Sequence, residues 1–250
     1  MNMQFAIKDE QLYVIEVNPR ASRTVPFVSK SIGVPLAKLA AKIMVGEKLV
    51  NLGFTTEIIP PHFSVKEAVF PFVRFPGIDI VLGPEMKSTG EVMGIDHDFG
   101  SAYAKSQMAA GNALPAGGNI FISVRDLDKP AIGEIAKGFH ELGFTVYSTS
   151  GTARVIAEAG VPVNKLYKLA DGRRPNVLDM IKNGEIHFII NTPSDHTGRK
   201  DEVKIRSTAV ANKIPVQTTL RAARASIEAI RAIKEKGLSV QPLQEYHGIA

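Results

Sequence analysis

Between residues 120 and 236 short apolar runs alternate with stretches of helical period, and no other feature restricts the fold as strongly. Runs at 120–124, 143–146, 185–190 and 214–217 have the length of buried strands, and a further extended piece begins at Val163. Helices are predicted over 128–142, 154–159, 176–183, 201–212 and 219–236. Strands separated by helices call for a mostly parallel sheet with flanking helices, an α/β fold. In the 128–142 helix Asp128 is the expected N-cap and Gly143 lies just past the end. Ile132, Ile135, Ala136, Phe139 and Leu142 form its buried stripe.

One junction in this alternation carries chemistry. Tyr147-Ser148-Thr149-Ser150-Gly151-Thr152-Ala153 joins a predicted strand to a predicted helix. Two readings stay open on these residues alone. Ser148 or Thr149 caps the helix, or the hydroxyls and the unpaired N–H groups of the first turn hold an anion. In open α/β sheets ligands sit at the carboxyl ends of strands, near a switch in strand order. Ser123, the 148–152 turn, Asn191 and Thr218 all fall at such ends, and that convergence favours the anion site.

Composition narrows the partners. An apolar fraction of 44% and a charged fraction of 22% are those of a globular chain, and 250 residues suffice for one large or two ordinary domains. The absence of cysteine excludes disulfides and thiol catalysis. The six histidines are scattered without zinc-ligand spacing, and Asp96-His97-Asp98 reads as a polar turn capping a helix that starts near Phe99. No apolar run has membrane-spanning length and no signal-peptide pattern is present, so a cytoplasmic location without a membrane partner is expected. The net charge of +5 favours anionic partners. Because the basic residues are dispersed, phosphorylated small molecules are expected rather than nucleic acid.

The N-terminal segment reads differently. Residues 3–7 and 12–17 form a hairpin about Lys8-Asp9-Glu10-Gln11. Such a hairpin has little stability unless later or upstream segments cover it. Glu16 and Asn18 share a face, and with Arg20 and Arg23 behind them they suit Mg²⁺ beside a phosphate. A solvent-facing strand end fits the same spacing. Residues 99–111 have helical content, and 112–119 are small, glycine-rich and uncharged, which places a domain boundary in a linker there.

Glu-Val-Asn-Pro-Arg-Ala-Ser-Arg-Thr-Val-Pro-Phe-Val-Ser-Lys at 16–30 resembles the metal-binding segment that closes an ATP-grasp domain, specifically the second such unit of the carbamoyl-phosphate synthase large-subunit family. The resemblance continues through Gly33-Val34-Pro35-Leu36-Ala37-Lys38, Ser64-Val65-Lys66-Glu67, Phe75-Pro76-Gly77 and residues 83–94. It implies that Gln4, Glu16 and Asn18 hold Mg²⁺ or Mn²⁺ bridging ATP phosphates, and that Arg20 and Arg23 are the catalytic basic residues beside the transferred phosphoryl group. It further implies that the glycine-rich loop and adenine pocket lie upstream, so that this chain is the C-terminal piece of a longer subunit, with Met1 an internal methionine, and inactive alone.

Ser-Thr-Ser-Gly-Thr-Ala at 148–153, Phe-Ile-Ile-Asn-Thr-Pro-Ser at 188–194, Lys-Ile-Arg-Ser at 204–207 and Thr-Thr-Leu at 218–220 resemble the methylglyoxal-synthase-like regulatory domain of the same family. The resemblance implies a Rossmann-like domain over 120–250 after an incomplete α+β ATP-grasp portion over 1–111. Its effectors would be UMP and IMP. Lys129, Thr149, Ser150, Gly151, Thr152 and Lys168 would hold the phosphate, with Asn191, Thr192 and Ser123 beside it. Glu67 and Thr218 match the family's ornithine site, although Val216 stands where some members carry tyrosine. The family also implies a glutaminase small subunit, an oligomer, and service to pyrimidine and arginine synthesis. Two other readings are a stand-alone nucleotide sensor and a methylglyoxal synthase. The second is disfavoured because Ala170-Asp171-Gly172-Arg173-Arg174 lacks that enzyme's Gly-Gly-Asp signature.

Overall fold

A computed structural model describes residues 1–83, 85–194 and 200–248. The chain forms two compact units, Met1–His62 with Val240–Ala250, and Phe63–Ser239.

In the first unit, β1 (Asn2–Lys8) and β2 (Gln11–Asn18) make the expected hairpin, with Asp9 and Glu10 at positive φ in the turn. The pairing shifts between Gln4 and Phe5, so that Gln4 faces Glu16 while Phe5 faces Val14, and Ile15 is the extra residue. Helix α1 (Thr24–Ile32) follows, closed by Gly33 in the left-handed conformation, and then α2 (Leu36–Met44). The orphan carbonyls at the end of α1 are met by two histidines. His62 Nε2 lies 2.8 Å from Ser31 O, and His247 Nε2 lies 2.7 Å from Lys30 O. Residues 240–248 therefore return to this unit, which the sequence pattern did not predict.

The second unit opens with an antiparallel pair, β3 (Phe63–Val69) and β4 (Gly90–Asp96), and with α3 (Phe99–Ala109). Asp98 caps α3 as expected, accepting from Ser101 N–H at 2.8 Å. Hydrogen bonding from that backbone group holds the Asp98 carboxyl below the ordinary carboxylate range.

Five parallel strands follow: β5 (Gly118–Ser123), β6 (Phe144–Thr149), β7 (Val163–Leu166), β8 (Phe188–Asn191) and β9 (Val216–Gln217). Between them run α4 (Lys129–Glu141), α5 (Ser150–Glu158), α6 (Val177–Lys182) and α7 (Lys200–Ala211). The unit ends with α8 (Leu220–Lys236), and the short α9 (Leu243–Tyr246) belongs to the first unit.

Strand order is β7-β6-β5-β8-β9. The chain starts in the middle, fills one side, then crosses back, so the order switches between β5 and β8. Period-two alternation distributes the core. Ile120, Ile122, Phe188 and Ile190 pack with α4, α5 and α8 on one face, while Phe121 and Ile189 pack with α6 and α7 on the other. All five residues of the expected α4 stripe are buried.

Three local expectations differ from the structure. The 185–190 run becomes strand only at Phe188, because Asn183 ends α6 and His187 Nδ1 accepts from Asn119 N–H at 3.0 Å. Gly118 and Asn119, expected in the linker, already pair with Phe144 and Thr145. Asp128 stands at the N-cap of α4 but makes no capping bond; its carboxylate accepts from Arg125 Nε at 2.9 Å.

Candidate functional site

The carboxyl ends of β5 and β6 open into a cavity of about 410 Å³. Ser123, Lys129, Thr149, Gly151, Thr152 and Lys168 line it, so six of the nine residues expected around an anion meet there. Strand β6 ends extended at Thr149, and α5 starts at Ser150, four residues before the predicted start. Thr149 occupies the N-cap position without a side-chain cap bond. Its neighbour Ser148 is fully buried and donates from Oγ to Ile122 O at 2.6 Å, tying β6 to β5. The capping reading therefore fails for both hydroxyls.

Gly151 lies against a cation. A Cβ there would stand 3.2 Å from the Lys129 ammonium, which reaches across the first turn of α5 and pairs with Asp126. A cation, a helix N-terminus without a side-chain cap and the Thr149 hydroxyl thus edge one cavity, the chemistry that accepts a phosphate. Tyr167, Leu169, Val177 and Ile205 supply apolar wall, and Asp201 and Glu202 supply carboxylates. Tyr167 and Arg125 were not singled out from the sequence.

The other three expected residues do not line the cavity. Ser150 is exposed. Asn191 and Thr192 are buried and engaged as supports: Asn191 Nδ2 donates to Ser123 O at 3.1 Å, and Thr192 Oγ1 accepts from Arg125 N–H at 3.0 Å. Behind Asn191 lies Arg206, fully buried. Its Nη1 donates to Asn191 Oδ1 at 2.7 Å, its Nε donates to Asp79 Oδ1 at 2.6 Å, and its Nη2 donates to Asp79 Oδ2. Burial alone would raise the Asp79 carboxyl, but the hydrogen bonds and charge of Arg206 bring it below its ordinary 3.8. One signal for Arg206 was available, since Glu202, Ile205, Arg206 and Ala209 share a face of α7 that buries its apolar members.

Glu67 and Thr218 also meet, in a second cavity of about 370 Å³ walled by Phe70, Phe72, Ile80 and Leu82. Glu67 accepts from Gln107 Nε2 at 2.9 Å, and burial raises its carboxyl above the ordinary 4.5 despite that bond. Tyr103 is pushed up to about 12 by burial and then by the charge of Glu67. Asp171, the carboxylate nearest to a methylglyoxal-synthase base, accepts from Lys168 N–H at 3.2 Å and caps its own turn.

In the first unit Gln4 stands opposite Glu16, and Asn18 Nδ2 donates to Glu16 Oε1, so the three expected metal ligands share one face of the hairpin. One carboxylate and two amide oxygens form a hard-oxygen donor set of the kind Mg²⁺ accepts, with its remaining positions left to phosphate or water. Arg20 is exposed and donates from Nη1 to Ala21 O at 3.1 Å, and Arg23 stands at the N-cap of α1.

Comparison with known proteins finds a family for each portion of the chain. The family "MGS-like domain" matches residues 131–218, and "Carbamoyl-phosphate synthase L chain, ATP binding domain" matches residues 1–52. The carbamoyl phosphate synthase large chain of Gemmatimonas aurantiaca is 55% identical over 249 residues, covering 100% of this chain and 23% of that protein. The large chain's C-terminal section from Aquifex aeolicus is 52% identical over 270 residues, with 100% of this chain and 50% of that one covered. The corresponding section from Methanocaldococcus jannaschii is 51% identical over 255 residues, covering 98% and 41%. The chain thus spans between 23% and 50% of the length of these relatives. It belongs to the carbamoyl phosphate synthase large-chain family, as the C-terminal section in which the end of the ATP-grasp domain is followed by an MGS-like domain.

Proposed function

We propose that this chain is the regulatory end, and part of the active site, of an ATP-dependent ligase making carbamoyl phosphate from bicarbonate and glutamine-derived ammonia. Residues 1–111 are read as the close of the ATP-grasp unit, 112–119 as the joint, and 120–250 as the effector domain, whose last residues from Val240 belong to the first compact unit. The observation that carries the effector assignment is the cavity at the carboxyl ends of β5 and β6, where Lys129, Thr149, Gly151, Thr152 and Lys168 surround the first turn of α5. A nucleoside monophosphate such as UMP or IMP fits that chemistry, with its phosphate at the helix end and its base toward Tyr167 and Ile205. Asn191 and Thr192 then act by holding Ser123 and Arg125 in place.

In the hairpin, Gln4, Glu16 and Asn18 would hold Mg²⁺ or Mn²⁺ against ATP phosphates, and Arg20 and Arg23 would neutralise the transferring group. The exposed apolar side chains Phe5, Ile7, Leu12 and Val14 suit coverage by further ATP-grasp structure of the longer protein. A glutaminase subunit is the expected ammonia source.

Titration calorimetry of the full chain with UMP and with IMP tests the effector assignment. Saturable binding to one site, weakened at least about tenfold by Lys168→Ala through loss of about 1.4 kcal/mol or more, is the expected result. Silence with both nucleotides overturns the assignment. The meeting of Glu67 and Thr218 supports a second small-molecule site for ornithine, whose ammonium a half-buried carboxylate would take.

A further inference from the structure

The two cavities share a wall. Helix α7 has 12 residues and is about 18 Å long. Its first turns give Asp201, Glu202 and Ile205 to the cavity at the head of α5, while Val210, with Lys213 just beyond the helix, lines the cavity of Glu67. Arg206 lies midway and is anchored in both directions. Toward the first cavity it holds Asn191 Oδ1, which in turn fixes Ser123, and its Nη1 lies 3.9 Å from Glu202 Oε2. Glu202 itself accepts from Ser194 N–H at 3.3 Å. Toward the second cavity Arg206 grips Asp79 with two hydrogen bonds, and the next residue, Ile80, is cavity wall.

We propose that Arg206 is a positioning residue that couples the two cavities: an occupant of the first, acting on Glu202 and, through Ser123, on Asn191, shifts Arg206 and with it Asp79 and the 79–82 wall of the second. The physical basis is the full burial of the guanidinium, for which water offers no alternative partner. Displacement of one of its contacts must be met by movement of the others. A bidentate arginine–carboxylate contact transmits direction as well as charge, because both bonds lengthen unless the two groups move together. The proposal rests on the nucleotide reading of the first cavity.

Hydrogen–deuterium exchange on the full chain, with and without saturating UMP or IMP, tests it. In the unsubstituted chain nucleotide is expected to alter exchange at residues 123–129 and 149–152, and also at the distant residues 70–82. Asp79→Asn is expected to keep nucleotide binding and the near response while abolishing the distant one. The double variant Asp79→Leu/Arg206→Met removes both charges and is expected to stay folded, since an apolar replacement of a buried pair is often neutral. It too should lack the distant response. A distant response that persists in the folded double variant overturns the coupling, as does a response confined to the first cavity in the unsubstituted chain. Absence of nucleotide binding, read by calorimetry on the same sample, instead overturns the underlying nucleotide reading and the coupling with it.

Discussion

Ser148 and Thr149 are adjacent hydroxyls with opposite surroundings, and substitution separates them. Ser148→Ala removes a buried bond to Ile122 O and is expected to cost about 1 kcal/mol in urea unfolding with little change in nucleotide affinity. Thr149→Val should do the reverse, weakening nucleotide binding with little change in stability, because its side chain edges the cavity without a capping bond. Charge gives a second pair of contrasts. Asp79 has a lowered folded pKa, so its contribution to stability is complete above 3.8 and is lost as pH falls through the folded value. Glu67 is raised, so stability falls as pH rises from 4.5 through its folded value. Glu67→Gln should flatten that decline in denaturant midpoints measured across the same range. The hydroxyl-rich turn was legible because strand, turn and helix follow one another in sequence. Asp79 and Arg206 lie 127 residues apart and only the fold brings them together, so nothing local to either announced the pair.

At the scale of elements, α3 sits where it does because glycines admit it. A Cβ on Gly94 of β4 would stand 2.0 Å from Ala102 O, and one on Gly100 would stand 2.5 Å from Glu228 O in α8. Both obstacles are backbone. Gly94→Ala is therefore expected to cost at least the roughly 1–3 kcal/mol typical of overpacking, read as a lower thermal midpoint. Gly151→Ala meets only the end of a lysine side chain, and should leave the midpoint nearly unchanged while shifting Lys129. The existence of the strands and their helices was readable from apolar period, because the central runs, β5 and β8, are buried on both faces. Their boundaries were less so. At α5 the helix reaches back to Ser150 through residues whose hydroxyls suggested a turn, and at β8 the strand waits until the turn after α6 has been satisfied.

At the scale of the molecule, the chain combines a unit with its own two-faced core and a unit whose leading hairpin exposes large apolar side chains on its surface. Fluorescence of 1-anilinonaphthalene-8-sulfonate should rise with the chain and fall in a Phe5→Ser/Leu12→Ser variant, if that hairpin surface is the one awaiting cover. The return of residues 240–248 to α1 was invisible in the sequence, since the polar contact is one ring nitrogen, His247 Nε2, on one helix-end carbonyl, Lys30 O, rather than any apolar period. The central claim is that the carboxyl edge of the parallel sheet receives a nucleotide's phosphate. A crystal structure of the chain with UMP tests it most directly. The account predicts the phosphate within hydrogen-bond distance of the Gly151 and Thr152 amides, with Lys129 and Lys168 alongside. A phosphate seated elsewhere, including in the cavity of Glu67 and Thr218, would contradict it.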